Sequence, residues 1–488
     1  MPLRPVSLLL PSLCFACTPT KSGASSPGAG AETTEAGGGT DGSSDPVDSG
    51  DPNTGPDDTG EPIEDGCDAY ADPTLDPADS SADGSADHPW PSLEALASSG
   101  QLPIEGGVLC LLPGDHGSPH VQGVHPDAPL ILRAVPPTEA TVSALRITDT
   151  TDLTVDGLQV QPPATPPDGI DPREHFLVVG DATSDRITLT NLRVESADSS
   201  ATWTVADWAR LSWSGIDLAG ADATVSHSTI HNTHHALLLR GDRAHATTNL
   251  IDNFGGDGIR GLASGSTYEW NTVRDAYIDD YAVQHDDAFQ AYELEGDLRI
   301  SDVTLRHNRF VLFADPITEF VRTEHLIATL MQGVVITDGY ADGWVVEGNL
   351  VVNSQAHGIT LYGARNSRIQ NNTVIRHPDV PAEAGPWIRI ADQTKTGHAN
   401  FDNIIRNNLA TLLTPWDYDA TSMVEANLEL DDPTAHFVDP GGLDFHLLPT
   451  SPAIDGGVDT DLTEVDLDGQ PRVVGSAVDL GAHEHTPD

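Results

Sequence analysis

Ser228-Thr229-Ile230, Asn249-Leu250-Ile251 and Asn271-Thr272-Val273 decide the fold. These three short β-rich runs are spaced 21 and 22 residues apart, and each opens on a small polar residue. The register returns at Asn349-Leu350-Val351 and Asn372-Thr373-Val374, 23 residues apart, and Asn308-Arg309-Phe310 and Asn408-Leu409-Ala410 fit across longer insertions. A period near twenty built of short strands describes a solenoid, in which no turn buries its own apolar side and each must stack on the next. The asparagines are expected to stack at one corner, each side chain bonding turn backbone. A second series, Leu218-Ala219-Gly220, Leu239-Arg240-Gly241 and Ile259-Arg260-Gly261, has glycines 21 and 20 residues apart and predicts Gly220, Gly241 and Gly261 in one column. The reading is an all-β, right-handed parallel β-helix with 20–23 residues per rung. A leucine-rich horseshoe is disfavoured because its consensus is missing.

Outward from this core, residues 89–430 read as the β-helix. Pro91 to Ala97 forms a short amphipathic helix stopped by Gly100, placed to cap the open end of the solenoid. Gly107 to Leu112 follows as a buried strand ended by Pro113-Gly114. Residues 18–66 are rich in Gly, Ser, Thr, Pro and Asp, and the acidic stretch runs on to residue 88, with 17 acids against one lysine. Such a segment buries too little apolar surface to fold and reads as an extended linker over 18–88. Ahead of it, Arg4, the apolar run Val6 to Ala16 and Cys17 read as an export signal over residues 1–17, with Cys17 placed for lipidation. The expected location is an outer-membrane or cell-surface lipoprotein, with simple secretion as the alternative. Cys67 and Cys110 remain outside the signal, and in an exported chain they predict a disulfide.

The formal net charge is -52, and lysine occurs only at Lys21 and Lys395. So acidic a surface repels nucleic acid and anionic membranes and favours a soluble monomer. No stretch outside the extreme N-terminus is long enough to cross a bilayer, so membrane contact is expected only through the lipid anchor.

From about Gly107 to Ala410 the chain resembles the pectin-lyase-like β-helix proteins, a superfamily of pectate and alginate lyases, mannuronan C5-epimerases and polygalacturonases. Residues 431–488, with Leu447 to Gly457, Asp466-Leu467-Asp468-Gly469 and Val478 to Ala482, resemble the choice-of-anchor Q segment that ends secreted bacterial β-helix proteins. The resemblance implies an acidic polysaccharide as partner.

Chemistry is sought where polar residues align across rungs. His235-Ala236-Leu237-Leu238, Asp257-Gly258-Ile259-Arg260, Asp287-Ala288-Phe289-Gln290 and His357-Gly358-Ile359-Thr360 share one pattern. Their third residue points inward, so alternation sends Leu238, Arg260, Gln290 and Thr360 outward, followed two residues on by Arg240, Tyr292 and Tyr362. The densest cluster is Gln284-His285-Asp286-Asp287 with Gln290 and Tyr292; Asp286, Arg260 and Gln290 are expected to converge outward. At Asp257, Asp287, His235 and His357 the competing reading is a polar ladder or a carboxylate that caps corner amides. Thirteen of 21 arginines lie between Arg240 and Arg406, a grip for carboxylates or a balance for nearby acids, whereas Arg133 and Arg186 read as solvated.

Three functions compete. In a uronate lyase or C5-epimerase, Arg260, Gln290 and Arg240 bind the carboxylate, His285 is the base, and Tyr292 or Tyr362 the donor. His285-Asp286-Asp287 resembles the Asp-Pro-His-Asp motif of mannuronan epimerases, with Val283-Gln284 in place of the leading pair. In a polygalacturonase-type hydrolase, Asp257, Asp286-Asp287 and His357-Gly358 follow that family's order of motifs. The third reading is a non-catalytic glycan-binding or adhesin-like solenoid. Asp257, Asp286 and Asp287 are also candidate ligands for Ca²⁺. Arg260→Ala is expected to change stability by no more than about 0.5 kcal/mol, as at an ordinary surface position.

Overall fold

The computed structural model describes residues 66–76, 81–277, 286–292, 299–324, 331–380, 385–459 and 463–487. Among them, three long parallel sheets of 13, 12 and 11 strands run side by side. One turn visits each sheet in order, as in Thr224–Ser226 of the first, Thr229–Thr233 of the second and Leu237–Leu239 of the third, before His245–Thr247 returns to the first. This is the expected right-handed parallel β-helix.

The asparagine series is in register. Thr229, Leu250, Thr272 and Arg309 pair in succession along the second sheet, then Leu350, Thr373, Leu409 and Leu428. The residue before each asparagine of the series takes a left-handed conformation, for example Thr248 (φ 57°), Trp270 (φ 58°) and His307 (φ 54°), which turns the chain sharply between first and second sheets. Each asparagine then bonds the next: Nδ2 of Asn271 donates to Oδ1 of Asn308 at 3.0 Å, and Nδ2 of Asn308 to Asn349 at 3.0 Å. The same Oδ1 atoms accept the backbone N–H of the preceding asparagine, and Nδ2 also donates to the carbonyl of the first sheet. A buried corner is thereby satisfied along its length. Beside it, Ile230, Ile251, Val273, Phe310, Val351 and Val374 stack inward, all fully buried.

The glycine column holds only in part. A Cβ on Gly241 would lie 1.7 Å from the Gly220 carbonyl oxygen, so these two stack as expected. Gly261 instead pairs with Leu239, two residues short of that column. The inward positions Leu237 and Ile259 fix this register, and Gly261 faces the core, where a side chain would collide with Phe289 and Tyr268. The strand Gln332–Asp338 adds a third-sheet rung between Asp287–Tyr292 and His357–Tyr362 that the four-segment pattern skips.

At the N-terminal end, Leu93–Ser99 is helical, with the Ser92 side chain accepting from Ala95 N–H and Gly100 left-handed at φ 68°. Its Leu93 and Leu96 are buried. Order begins before residue 89: Ala69–Ala71, inside the stretch read as linker, pairs with Gly107–Leu111. The Cys67–Cys110 disulfide anchors this strand, which explains how so polar a segment holds a sheet position. The stretch read as an export signal, including Cys17, lies outside the described residues. No helix among the described residues is long and apolar enough to cross a membrane.

The described residues of the C-terminal segment, 431–459 and 463–487, fold back on the second sheet. Leu350, Val352, Ile375 and Leu409, on that sheet's outer side, are buried with Phe437, Phe445, Leu447, Leu467 and Leu480. The third sheet carries the polar columns.

Candidate functional site

Register along the third sheet runs Leu238, Arg260, Gln290, Val335, Thr360, Arg389. The first position of each segment sits at the corner that feeds this sheet, where alternation gives way. There Asp257, Asp287 and His357 each reach the residue three positions on. Nε of Arg260 donates to Oδ2 of Asp257 at 2.5 Å, Nε2 of Gln290 donates to Oδ2 of Asp287 at 2.5 Å, and Nδ1 of His357 lies 3.0 Å from Oγ1 of Thr360.

The same corner carries a ladder between rungs. The N–H of Asp257 donates to Nδ1 of His235 at 3.0 Å, and the N–H of Asp287 donates to Oδ1 of Asp257 at 2.9 Å. Burial, followed by the charges of His234 and Arg260, holds the His235 imidazole well below its usual range. His235 is therefore a neutral acceptor, and Asp257 both caps a corner amide and pairs with Arg260. The capping reading accounts for these two residues. The small second position is required as well: a Cβ on Gly258 would lie 2.5 Å from Val273 Cγ1, and one on Gly358 2.4 Å from Val374 Cγ1.

Convergence differs from expectation. Asp286 is 1 % exposed, and Arg260 and Gln290 each bond the carboxylate of their own rung, so Asp286 is not the partner that joins them. Nor do Asp257, Asp286 and Asp287 gather as a calcium cage; among the described residues the one group of three ligand atoms lying mutually within 4.8 Å is elsewhere. Thr360 is fully buried beneath the indole of Trp387, whose Nε1 donates to its hydroxyl at 3.0 Å. Arg240 forms a bidentate pair with Asp217 at 2.9 and 2.7 Å. Arg133 and Arg186, read as solvated, pair with Asp156 at 3.0 Å and Asp152 at 2.6 Å, because parallel stacking sets charges of adjacent rungs side by side. His285 lies outside the described residues.

Arg260, Gln290 and Tyr292 line an open recess of about 400 Å³ together with Val335, Thr337 and Asp338. The Arg260 guanidinium stands 5.9 Å from the Tyr292 ring centre. Three rungs beyond Gln290, Arg389 lies 5.6 Å from the ring of Tyr362 and 5.3 Å from that of Trp387, with Asp417 Oδ2 2.8 Å from its Nε. Sequence reading missed Trp387 and Arg389. The alternation Trp387-Ile388-Arg389-Ile390 is the signal that marks them as an outward pair.

A family model for a right handed beta helix region matches residues 182–408. No curated protein matches the chain. The chain is similar to the solved structure of pectate lyase Pel9A, at 14% identity over 86% of this chain and 98% of that one, with a TM-score of 0.44. It is similar to the A-module of the Azotobacter vinelandii mannuronan C-5 epimerase AlgE6 (10% identity, 69% and 86% covered, TM-score 0.44). A third similarity is to the PL6 family polysaccharide lyase Pedsa3628 from Pseudopedobacter saltans (11% identity, 80% and 98% covered, TM-score 0.43).

Proposed function

We propose that the outer face of the third sheet binds an acidic polysaccharide and acts on its uronate units as a lyase or C5-epimerase. The observation that carries this reading is the recess in which Arg260, Gln290 and Tyr292 stand together on an otherwise strongly acidic chain. A guanidinium neutralises the substrate carboxylate, and an amide N–H adds a neutral donor. Asp257 positions the guanidinium without entering the recess. Removal of the proton beside the carboxylate falls to His285. In the lyase the electron pair expels the glycosidic oxygen, which takes a proton from the Tyr292 hydroxyl. In the epimerase the tyrosine returns a proton to the opposite face instead.

The hydrolase reading has less support. Asp257 is 2 % exposed and Asp287 fully buried, and each is turned to its own rung partner, so neither faces a water across an open site. A glycan-binding reading is favoured by one observation, the Tyr362–Arg389–Trp387 stack, since aromatic faces and a paired arginine hold sugars without proton transfer. The chain is further proposed to be exported and tethered through lipidated Cys17, which labelling with a radioactive fatty acid tests.

Incubation of the purified protein with a panel of polyuronates tests the function. A rise in unsaturated-uronate absorbance marks a lyase, and a changed uronate composition without cleavage marks an epimerase. Reducing ends without that absorbance mark a hydrolase, and retention on a polyuronate column without turnover marks a binding protein.

A further inference from the structure

The C-terminal segment brings His446, Asp468 and His483 together, and we infer that they form a site for a divalent d-block cation of the Zn²⁺ class. This inference is independent of the third-sheet reading. His446 lies on the strand Asp444–Leu447, with Asp468 and His483 following 22 and then 15 residues later, so folding alone assembles the group. Their ligating atoms all lie within 4.8 Å of one another. Nε2 of His446 is 2.7 Å and Nε2 of His483 is 3.7 Å from the same atom, Oδ2 of Asp468.

Three further observations point to a ligand. First, Nδ1 of His446 is 2.6 Å from Oδ1 of Asp444, which fixes the ring with Nε2 facing Asp468. A carboxylate on the far nitrogen is the usual orienting partner of a metal-bound histidine. Second, the other oxygen of Asp468 accepts from Nη2 of Arg309 at 2.7 Å, so the carboxylate is held with Oδ2 turned to both imidazoles. Third, His483 is only 5 % exposed, and its Nε2 is aimed at Asp468 Oδ2 at 3.7 Å, beyond hydrogen-bond reach. Buried imidazoles are ordinarily hydrogen-bonded; coordination at Nε2 gives this ring a strong interaction.

The dimensions fit. Tetrahedral Zn²⁺ with bonds of about 2.0–2.2 Å sets its ligand atoms roughly 3.3 Å apart. The 3.7 Å separation is already close, and the half-exposed His446 has room to draw back. The group borders a recess of about 800 Å³ that Asp466, Glu484 and His485 also line, which leaves the fourth position to water. Two imidazoles and one carboxylate suit Zn²⁺, Ni²⁺ or Cu²⁺, whereas Ca²⁺ takes six to eight oxygens. All three ligands belong to the C-terminal segment, so the ion would tie that segment to itself, while the Arg309–Asp468 pair joins it to a solenoid strand.

The test uses the full-length protein, stripped with a chelator and titrated with ZnCl₂ against a chromophoric competitor. One equivalent is expected to bind, with a rise in Tm that the chelator reverses. His446→Ala should abolish that equivalent, and Asp444→Asn, which leaves all three ligands in place, should weaken it about tenfold. His446 is half exposed, so its removal leaves the fold intact, which circular dichroism checks. His125→Ala, at a remote surface position, should bind as the parent does. Absence of a stoichiometric equivalent, equal affinity in His446→Ala, or preference for Ca²⁺ over Zn²⁺ would each overturn the assignment.

Discussion

Nε of Arg260 lies 2.5 Å from Oδ2 of Asp257, three residues earlier in the same rung, and Asp257 is 2 % exposed. An outward arginine is thus the counter-charge of a buried carboxylate. Arg260→Ala should therefore cost about 2–4 kcal/mol rather than behave as a surface change, because it strands a buried charge. Urea unfolding measures this, and Asp257→Asn with Arg260→Gln should recover most of the loss. A cost under about 0.5 kcal/mol for Arg260→Ala would show the pair to be inert.

Asn308 takes part in four hydrogen bonds of about 3 Å with Asn271 and Asn349, counting backbone and side-chain donors. Asn308→Ala leaves the Asn271 N–H and side-chain amide without their acceptor in a fully buried corner. The expected loss is about 3 kcal/mol. Asn308→Asp keeps the acceptor and should lose the bonds that Nδ2 donates. If alanine costs no more than aspartate, the ladder is not what holds the corner.

Cys67 and Cys110 are joined across 43 residues, and Cys110 is fully buried. Loop-closure entropy assigns such a bridge about 4 kcal/mol. The Cys67→Ser/Cys110→Ser protein should unfold at correspondingly lower urea, and the oxidised parent should take up no thiol label without reductant. Ready labelling of both cysteines in the oxidised protein would remove the bridge.

Hydrogen bonds from His245 and then from Arg306 hold Glu269 at about 2, below its free value of 4.5. A depressed carboxylate contributes stability that is complete above about pH 4.5 and is lost as pH falls through about 2. The group is partly exposed, so the contribution is on the order of 1 kcal/mol after screening. The gap between parent and Glu269→Gln in urea midpoint should close on acidification over that window. A gap that is constant with pH would assign the effect to packing.

If Tyr292 is the proton donor, Tyr292→Phe should lower kcat by about 10²-fold or more while leaving polyuronate retention and Tm unchanged. Loss of retention together with kcat would make Tyr292 a binding residue. Unchanged kcat would move the chemistry along the face, toward Tyr362 and Trp387.

The solenoid and its asparagine corner were legible because both are written locally. Each rung must place an inward residue at a fixed interval, and each sharp corner needs a polar side chain to bond its neighbour's backbone. That periodicity survives in Asn249, Asn271 and Asn372 whatever lies between. The Cys67–Cys110 bridge was legible by exclusion, since the other two of the four cysteines, Cys14 and Cys17, fall in the stretch read as an export signal. What alternation cannot specify is the corner itself: there Asp257 and Asp287 turn to Arg260 and Gln290, and the carboxylates expected to share one cluster are claimed separately by their own rungs. The rung Gln332–Asp338, which separates Gln290 from Thr360, was hidden because Gln332-Gly333 does not repeat the His or Asp of its neighbours. The meeting of His446, Asp468 and His483 has no local signature at all. It is assembled within a C-terminal segment that folds back to cover the apolar outer side of the second sheet, where Leu480 is buried in one cluster with Leu350 and Val352.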